Sequence, residues 1–229
     1  MVIVTIDRPE RRNAVDYATL VALRTAVDEA LGARVFVLTG SGGAFCAGAD
    51  LTGVEDAGFA AALKAVLVGL TELPIVTLAA IDGPALGAGT QLALACDLRV
   101  ATARSRFGIP AARLGLAVDE WTIRRLVAEA GGPIARAMLL GAASYTAEPL
   151  HAAGFVHRLG GLDDALAWAE ELALLAPLTV AAHKRGLEIR DSRDVAAFAE
   201  LTERAWRSDD AHEGRTAFLE KRAPRFSGH

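Results

Sequence analysis

The sequence predicts an α/β core that gives way to a helical region, and three observations carry that expectation. Short β-branched runs alternate with amphipathic helical patterns over the first two-fifths of the 229 residues. Two glycine-dense loops interrupt the alternation where a strand meets a helix. Beyond about Pro110 the strand signal almost vanishes and helical spacing takes over.

Taken in order, Ile3 to Ile6 is β-like, and Leu20, Leu23, Val27 and Leu31 recur at helical spacing. Val35 to Leu38 is a short apolar run with β-branched residues, closed by Thr39-Gly40. Phe59, Leu63, Val66, Leu67 and Leu70 mark a second amphipathic helix, Pro74 stops it, and Ile75 to Ile81 is another buried strand. Gly87 to Ala95 is helical and Leu98 to Ala101 is β-like. Further on only Phe155 to Leu159 suggests a strand, amid helices expected at Trp121 to Ala130, Leu162 to Leu175, Leu178 to Ile189 and Val195 to Trp206. Gly131-Gly132-Pro133 and Gly160-Gly161 are the expected joints.

Composition narrows the function classes. At 52% hydrophobic and 23% charged the chain is globular rather than disordered. Uncharged stretches such as Gly83 to Cys96 are shorter than the roughly 18 residues a spanning helix needs, so no membrane insertion is expected. A net charge of -4 leaves no electrostatic footprint for nucleic acid. Met1 to Ile6 lacks a basic n-region and a small-residue cleavage site, so it is taken as a strand and a cytoplasmic location is expected. Cys46 and Cys96 suit two small buried thiols. His151, His157, His183, His212 and His229 show no metal spacing and are expected at the surface or at interfaces. No Gly-x-Ser-x-Gly accompanies them, which removes a serine hydrolase.

The two loops carry the chemistry. Thr39 to Leu51 is dense in residues too small to shield their own backbone. Ile81 to Gln91 ends a strand and opens a helix, so free amides and the positive end of the helix dipole converge there. One amide from each loop suffices to hold a developing oxyanion, although either loop alone is equally well an ordinary turn. A dinucleotide site is the weaker competitor, because Leu92 stands where the third glycine of Gly-x-Gly-x-x-Gly belongs.

Several segments, in this order and spacing, resemble the crotonase superfamily, also called the enoyl-CoA hydratase/isomerase family. They are Arg8-Pro9-Glu10-Arg11-Arg12-Asn13-Ala14, Ala44 to Leu51, Gly83 to Gly89, Ala95 to Arg99, Phe107-Gly108-Ile109-Pro110, Gly115-Leu116 and Phe218 to Arg222. The resemblance covers nearly the whole chain. It implies an α/β fold in which a ββα spiral core (1–155) precedes a helical trimerisation region (156–229), assembled as a homotrimer or a hexamer. It implies acyl-CoA as ligand, with the thioester oxygen accepting the backbone N–H groups of Ala49 and Ala88. The adenine is expected near Ala47, Asp50 and Leu51, and the CoA phosphates near Arg11, Arg12, Phe218 and Lys221, the last two often on a neighbouring subunit. For each arginine taken singly, solvated surface charge is the alternative. Coenzyme A enters as part of the ligand, with neither a permanently bound cofactor nor a metal. The resemblance also implies a further strand pairing with the one at Val2, so either the start is assigned late or that hairpin is lost.

The family's hydratases add water across a 2-enoyl-CoA with two glutamates, and the matching positions here hold Gln91 and Ala111. An amide has no accessible pKa and a methyl no polar atom, so neither moves a proton. Losing one general acid or base costs roughly 10² to 10⁴ in rate, so binding is expected to outlast hydration. Gln91, Ala111 and Trp121 are expected to line the acyl pocket, with plain core packing as the alternative for Trp121. Asp119 matches the catalytic aspartate of some dehalogenase and dienoyl-CoA isomerase members, but it also suits a helix N-cap. Gly115 to Leu126, with Arg136 to Leu140, resembles an actinobacterial branch with the same loss of glutamates. That points to a fatty acyl-CoA carrier in lipid metabolism, or a partner of lipid-synthesis enzymes. The rival is an active isomerase or lyase using Asp119.

Overall fold

In the computed structural model, residues 1–50, 52, 57–189 and 191–229 are described. The chain runs β1 (Val2–Ile6), α1 (Tyr17–Glu29), β2 (Val35–Gly40), α2 (Ala57–Glu72), β3 (Val76–Ile81), β4 (Pro84–Leu86), α3 (Ala88–Ala95), β5 (Leu98–Ala101) and β6 (Arg106–Gly108). It continues through α4 (Glu120–Ala130), α5 (Gly132–Leu140), β7 (Ser144–Thr146), α6 (Ala147–Ala152), β8 (Arg158–Leu159), α7 (Leu162–Ala173), α8 (Pro177–Leu187), α9 (Ser192–Trp206) and α10 (Asp209–Glu220). Two 3₁₀ turns, Pro9–Arg11 and Pro110–Leu114, each begin on a proline whose missing N–H costs nothing there.

Strands β1, β2, β3, β5 and β8 form one parallel sheet in the order β1-β2-β3-β5-β8. Its central strands β2 and β3 are buried along nearly their whole length and mostly apolar, because both faces are covered. Phe36, Leu38, Ala79 and Ile81 pack with Leu20, Leu23 and Val27 of α1 and with Val66, Leu67 and Leu70 of α2. The alternate residues Val35, Val37, Val76, Leu78 and Val100 pack with Ala165 and Ala169 of α7. Residues beyond 155 therefore contribute a strand, a covering helix and part of α8 to the core before α9 and α10 leave it. A second, small sheet holds β4 beside β6 in parallel and β6 beside β7 antiparallel.

The joint between sheet and outer helices is polar. Lys184 of α8 is buried, and its Nζ donates to the carbonyls of Leu70 (2.9 Å) and Ile75 (3.0 Å) and to the Asp97 carboxylate (2.7 Å). Arg99, fully buried, donates to the Phe155 carbonyl (2.6 Å) and to those of Ala93 and Cys96, and pairs with Glu129. Such buried cations persist only because every donor is matched.

Three expectations change. The strand expected over Phe155 to Leu159 shortens to Arg158–Leu159, because Phe155 and Val156 are core residues, with the Phe155 ring edge-on to Phe107 at 5.4 Å. β4, β6 and β7 are added, each three residues long. His157 is half-buried rather than at the surface: its Nδ1 accepts the Arg99 N–H at 3.2 Å, and burial, then the Arg99 charge, pulls its pKa down to about 4. Cys46 and Cys96 are buried, and burial pushes their thiols up to about 11 and about 12. Among the described residues no single helix is long and apolar enough to cross a membrane.

Candidate functional site

The two glycine loops lie against each other. The Cys46 and Phe45 N–H groups both point at the Pro84 carbonyl, at 3.0 and 3.1 Å, and Leu86 N–H returns to the Cys46 carbonyl at 3.0 Å. Gly89 makes this contact possible, since a Cβ there would fall on the Cys46 carbonyl oxygen. Gly48 and Gly87, both at positive φ, face one another, and a Cβ on Gly87 would stand 3.8 Å from Gly48 Cα. Ala49 and Ala88, the next residue on each side, are the two expected amide donors. Ala49 pairs with Val15 through its flanking residues: Val15 N–H donates to Gly48 and Asp50 N–H to Val15. Ala88 is the first residue of α3, where an amide has no helical acceptor. The two loops thus lie side by side, with the positive end of the α3 dipole at Ala88.

Two side chains missed in the sequence hold this arrangement. Asn13, fully buried at φ 57°, donates through Nδ2 to the carbonyls of Ser41 (2.8 Å) and Ala44 (2.6 Å) and accepts Arg8 N–H at 2.8 Å. Thr90 places its hydroxyl 2.6 Å from the Ala85 carbonyl and accepts Gly108 N–H at 3.1 Å. Asn in the left-handed region beside an Arg-Pro turn was the available signal for the first. Nothing local marks the second.

The two positions expected to correspond to the family's glutamates hold Gln91 and Ala111. Gln91 is buried, and its Nε2 donates to Thr122 Oγ1 at 2.7 Å, a partner that the sequence does not reveal. Ala111, in the second 3₁₀ turn, lines an apolar groove of about 460 Å³ together with Leu116, Val118, Ile123, Val127 and Leu139. Trp121 is not brought to that groove. It lines another one with Asp97, Arg124 and Lys184, and the Arg125 guanidinium lies 5.8 Å from its ring centroid. Asp119 is the N-cap of α4, its Oδ1 accepting Thr122 N–H at 2.8 Å. Thr122 therefore joins the cap to Gln91.

The outer residues are dispersed. Arg11 and Arg12 are exposed on the first 3₁₀ turn, and the Arg12 carbonyl accepts Ala47 N–H at 3.0 Å. Asp50 is buried beside them. Its Oδ1 accepts the Thr52 hydroxyl at 2.6 Å and its Oδ2 lies 3.3 Å from Arg8, so hydrogen bonds from Thr52, with help from Arg8 and Arg11, hold its carboxyl below the usual carboxylate range. Leu51 lies outside the described residues. Phe218 (83% exposed) and Lys221 stand on and just after α10.

The sequence model of the enoyl-CoA hydratase/isomerase family matches residues 1–229. The protein named "Probable enoyl-CoA hydratase echA6" of Mycobacterium tuberculosis is 46% identical over 98% of this chain and 95% of its own. The 2,3-dehydroadipyl-CoA hydratase of Escherichia coli is 35% identical over 100% of this chain and 95% of its own. The crystal structure of enoyl-CoA hydratase EchA1 from Mycobacterium marinum superposes with a TM-score of 0.85 at 36% identity, covering 99% of this chain and 95% of that one.

Proposed function

The chain belongs to the enoyl-CoA hydratase/isomerase family, and from that premise we propose that it binds fatty acyl-CoA thioesters without hydrating them at the rate of an ordinary hydratase. What supports this reading is the close approach of the two glycine loops beside Ala49 and Ala88, together with an amide and a methyl at the two positions expected to transfer protons. The thioester oxygen would accept Ala49 N–H and Ala88 N–H, which supports binding. Gln91 is committed to Thr122 and Ala111 offers only a methyl, so no group at either position gives or takes a proton. The acyl chain would run past Ala111 into the groove of Leu116, Val118, Ile123 and Val127. Arg11, Arg12, Ala47, Asp50, Phe218 and Lys221 would meet the CoA end. Coenzyme A enters only with the ligand. We place the protein in the cytoplasm as a homotrimer or hexamer, delivering acyl-CoA to enzymes of lipid synthesis.

The test pairs calorimetric titration of acyl-CoA with loss of crotonyl-CoA absorbance, for wild type, Asp119→Asn and the double variant Gln91→Glu/Ala111→Glu. The expected result is binding by wild type with near-background hydration, unchanged by Asp119→Asn. Restoring both carboxylates is expected to raise hydration by at least about 10², the low end for one general acid or base. Wild-type turnover that Asp119→Asn abolishes would replace this reading with an isomerase or lyase acting through Asp119. Hydration by wild type at an ordinary hydratase rate, or no heat with any acyl-CoA, would overturn it outright.

A further inference from the structure

Helix α10 has little of its own to hold it in place. Its strongest packing is with α9, only Asp210 and Ala217 of its residues are buried, and both Phe218 and Leu219 project from it exposed (83% and 79%). What fixes it is the segment that follows. Lys221 adopts a left-handed conformation (φ 55°), which reverses the chain so that Arg222 N–H bonds back to the Ala217 carbonyl at 3.0 Å. Residues 222–229 then run back along the helix toward its beginning.

That return path is densely bonded. Arg222 forks onto Glu213, Nη1 to Oε1 at 2.6 Å and Nη2 to Oε2 at 2.8 Å, and Arg225 N–H adds a third bond to the same carboxylate at 2.8 Å. These partners, Arg222 first, draw the Glu213 carboxyl down to about 2. Asp210, 3% exposed at the start of α10, accepts Ser227 N–H at 2.7 Å and Gly228 N–H at 2.9 Å, and its own N–H donates to the His229 carbonyl at 3.3 Å. Phe226 lines a groove with Phe198, Trp206 and Gly214, its ring 3.5 Å from where a Cβ on Gly214 would stand. Its carbonyl accepts Arg34 Nη2 at 2.6 Å. Arg34 lies between α1 and β2, so this bond ties the segment, and through it α10, to the body of the sheet.

We propose that residues 222–229 are a positioning clasp for α10, anchored through Arg34 and Asp210, that sets Phe218 and Lys221 for the nucleotide end of the bound acyl-CoA. The inference rests on the proposed acyl-CoA binding. Its distinct content is that residues far from the ligand control the nucleotide's share of the affinity and not the acyl share.

The test measures dissociation constants for a long-chain acyl-CoA and for the matching S-acyl-pantetheine, which lacks the nucleotide. The proteins are full-length wild type, Arg34→Ala, Arg34→Lys, Asp210→Ala and Lys221→Gly, with hydrogen exchange over 222–229 to report release of the segment. Wild type should prefer the CoA thioester. Arg34→Ala and Asp210→Ala should release the segment and weaken acyl-CoA about tenfold, the scale of one charge-assisted contact, while acyl-pantetheine stays within about twofold. Arg34→Lys, which keeps a donor, should recover most of the loss. Lys221→Gly keeps the left-handed turn and should lose the same preference, and Arg34→Ala added to it should cost little more. Should Asp210→Ala fail to fold, Arg34→Ala carries the comparison alone. A released segment with unchanged acyl-CoA affinity, or an equal loss for both ligands, overturns the clasp while leaving the binding reading intact. Wild type that binds neither ligand overturns both.

Discussion

Gly89 is expected to accept no side chain. A Cβ there meets the Cys46 carbonyl oxygen and lies 3.0 Å from Cys46 Cβ, and both are fixed by the bonds between the two loops. Gly89→Ala must therefore push Ala49 and Ala88 apart, at an overpacking cost of about 1 to 3 kcal/mol, and acyl-CoA affinity should fall with stability. Gly115→Ala is the matched control. Open space surrounds Gly115, but φ is 68°, so the substitution should cost about 1 to 2 kcal/mol of backbone strain and leave affinity alone. Thermal melts with ligand titrations on both variants decide; equal affinity losses would show that the glycine contact does not shape the site. Single residues also mark what was legible in the site. Glycines 87 and 89 announced themselves, because small residues at a strand-to-helix junction have a local reason to be there. Asn13, Thr90 and Thr122 did not, because their partners Ala44, Gly108 and Gln91 lie 31, 18 and 31 residues away in sequence.

At the scale of an element, α4 separates architecture from chemistry. Asp119 caps its first turn by accepting Thr122 N–H, so Asp119→Ala should cost about 0.5 to 2 kcal/mol. Asp119→Asn, a comparably good cap, should melt within a few tenths of that of wild type. An Asp119→Ala protein as stable as wild type would mean that the cap contributes nothing and would reopen a chemical role for the carboxylate. The elements also show which sequence signals survive folding. β1, β2, β3 and β5 were visible because short runs rich in apolar and β-branched residues mark strands, and in the buried β2 and β3 those runs are nearly continuous. β4, β6 and β7 were not. Each is three residues long and held by backbone pairing, which leaves no side-chain period to read, and the second sheet they form carries the loop that presents Ala88. Trp121 illustrates the converse: half-buried against the hydrophobic core, as its core-packing alternative expected, it also lines the groove beside Lys184 rather than the one beside Ala111.

The whole molecule ties these parts together through groups that tolerate only one charge state and surfaces that tolerate only one kind of cover. His157 sits where the sheet, α7 and the buried Arg99 meet, and its pKa falls from 6.5 to about 4. The folded state then holds fewer protons on this ring than the unfolded state between those values, so its contribution is complete above about pH 6.5 and is lost as pH falls toward 4. Melting temperature should therefore decline over that window in wild type and less steeply in His157→Gln; a ring that titrates near 6.5 by NMR would remove the effect. The outer helices pose the larger question. Leu187, Trp206, Phe218 and Leu219 are 72–85% exposed, and Leu174 is 73% exposed, all within the last quarter of the chain. Large apolar side chains gathered in one region normally meet a partner, and closed homo-oligomers are the commonest way to supply one. A trimer or dimer of trimers should appear in sedimentation velocity at micromolar concentration, and Leu187→Glu or Trp206→Glu should shift the population toward monomer with the fold retained by circular dichroism. A wild-type monomer at that concentration would leave this apolar surface to a different partner. It would also require each protomer's own α10 to bring Phe218 and Lys221 to its own ligand.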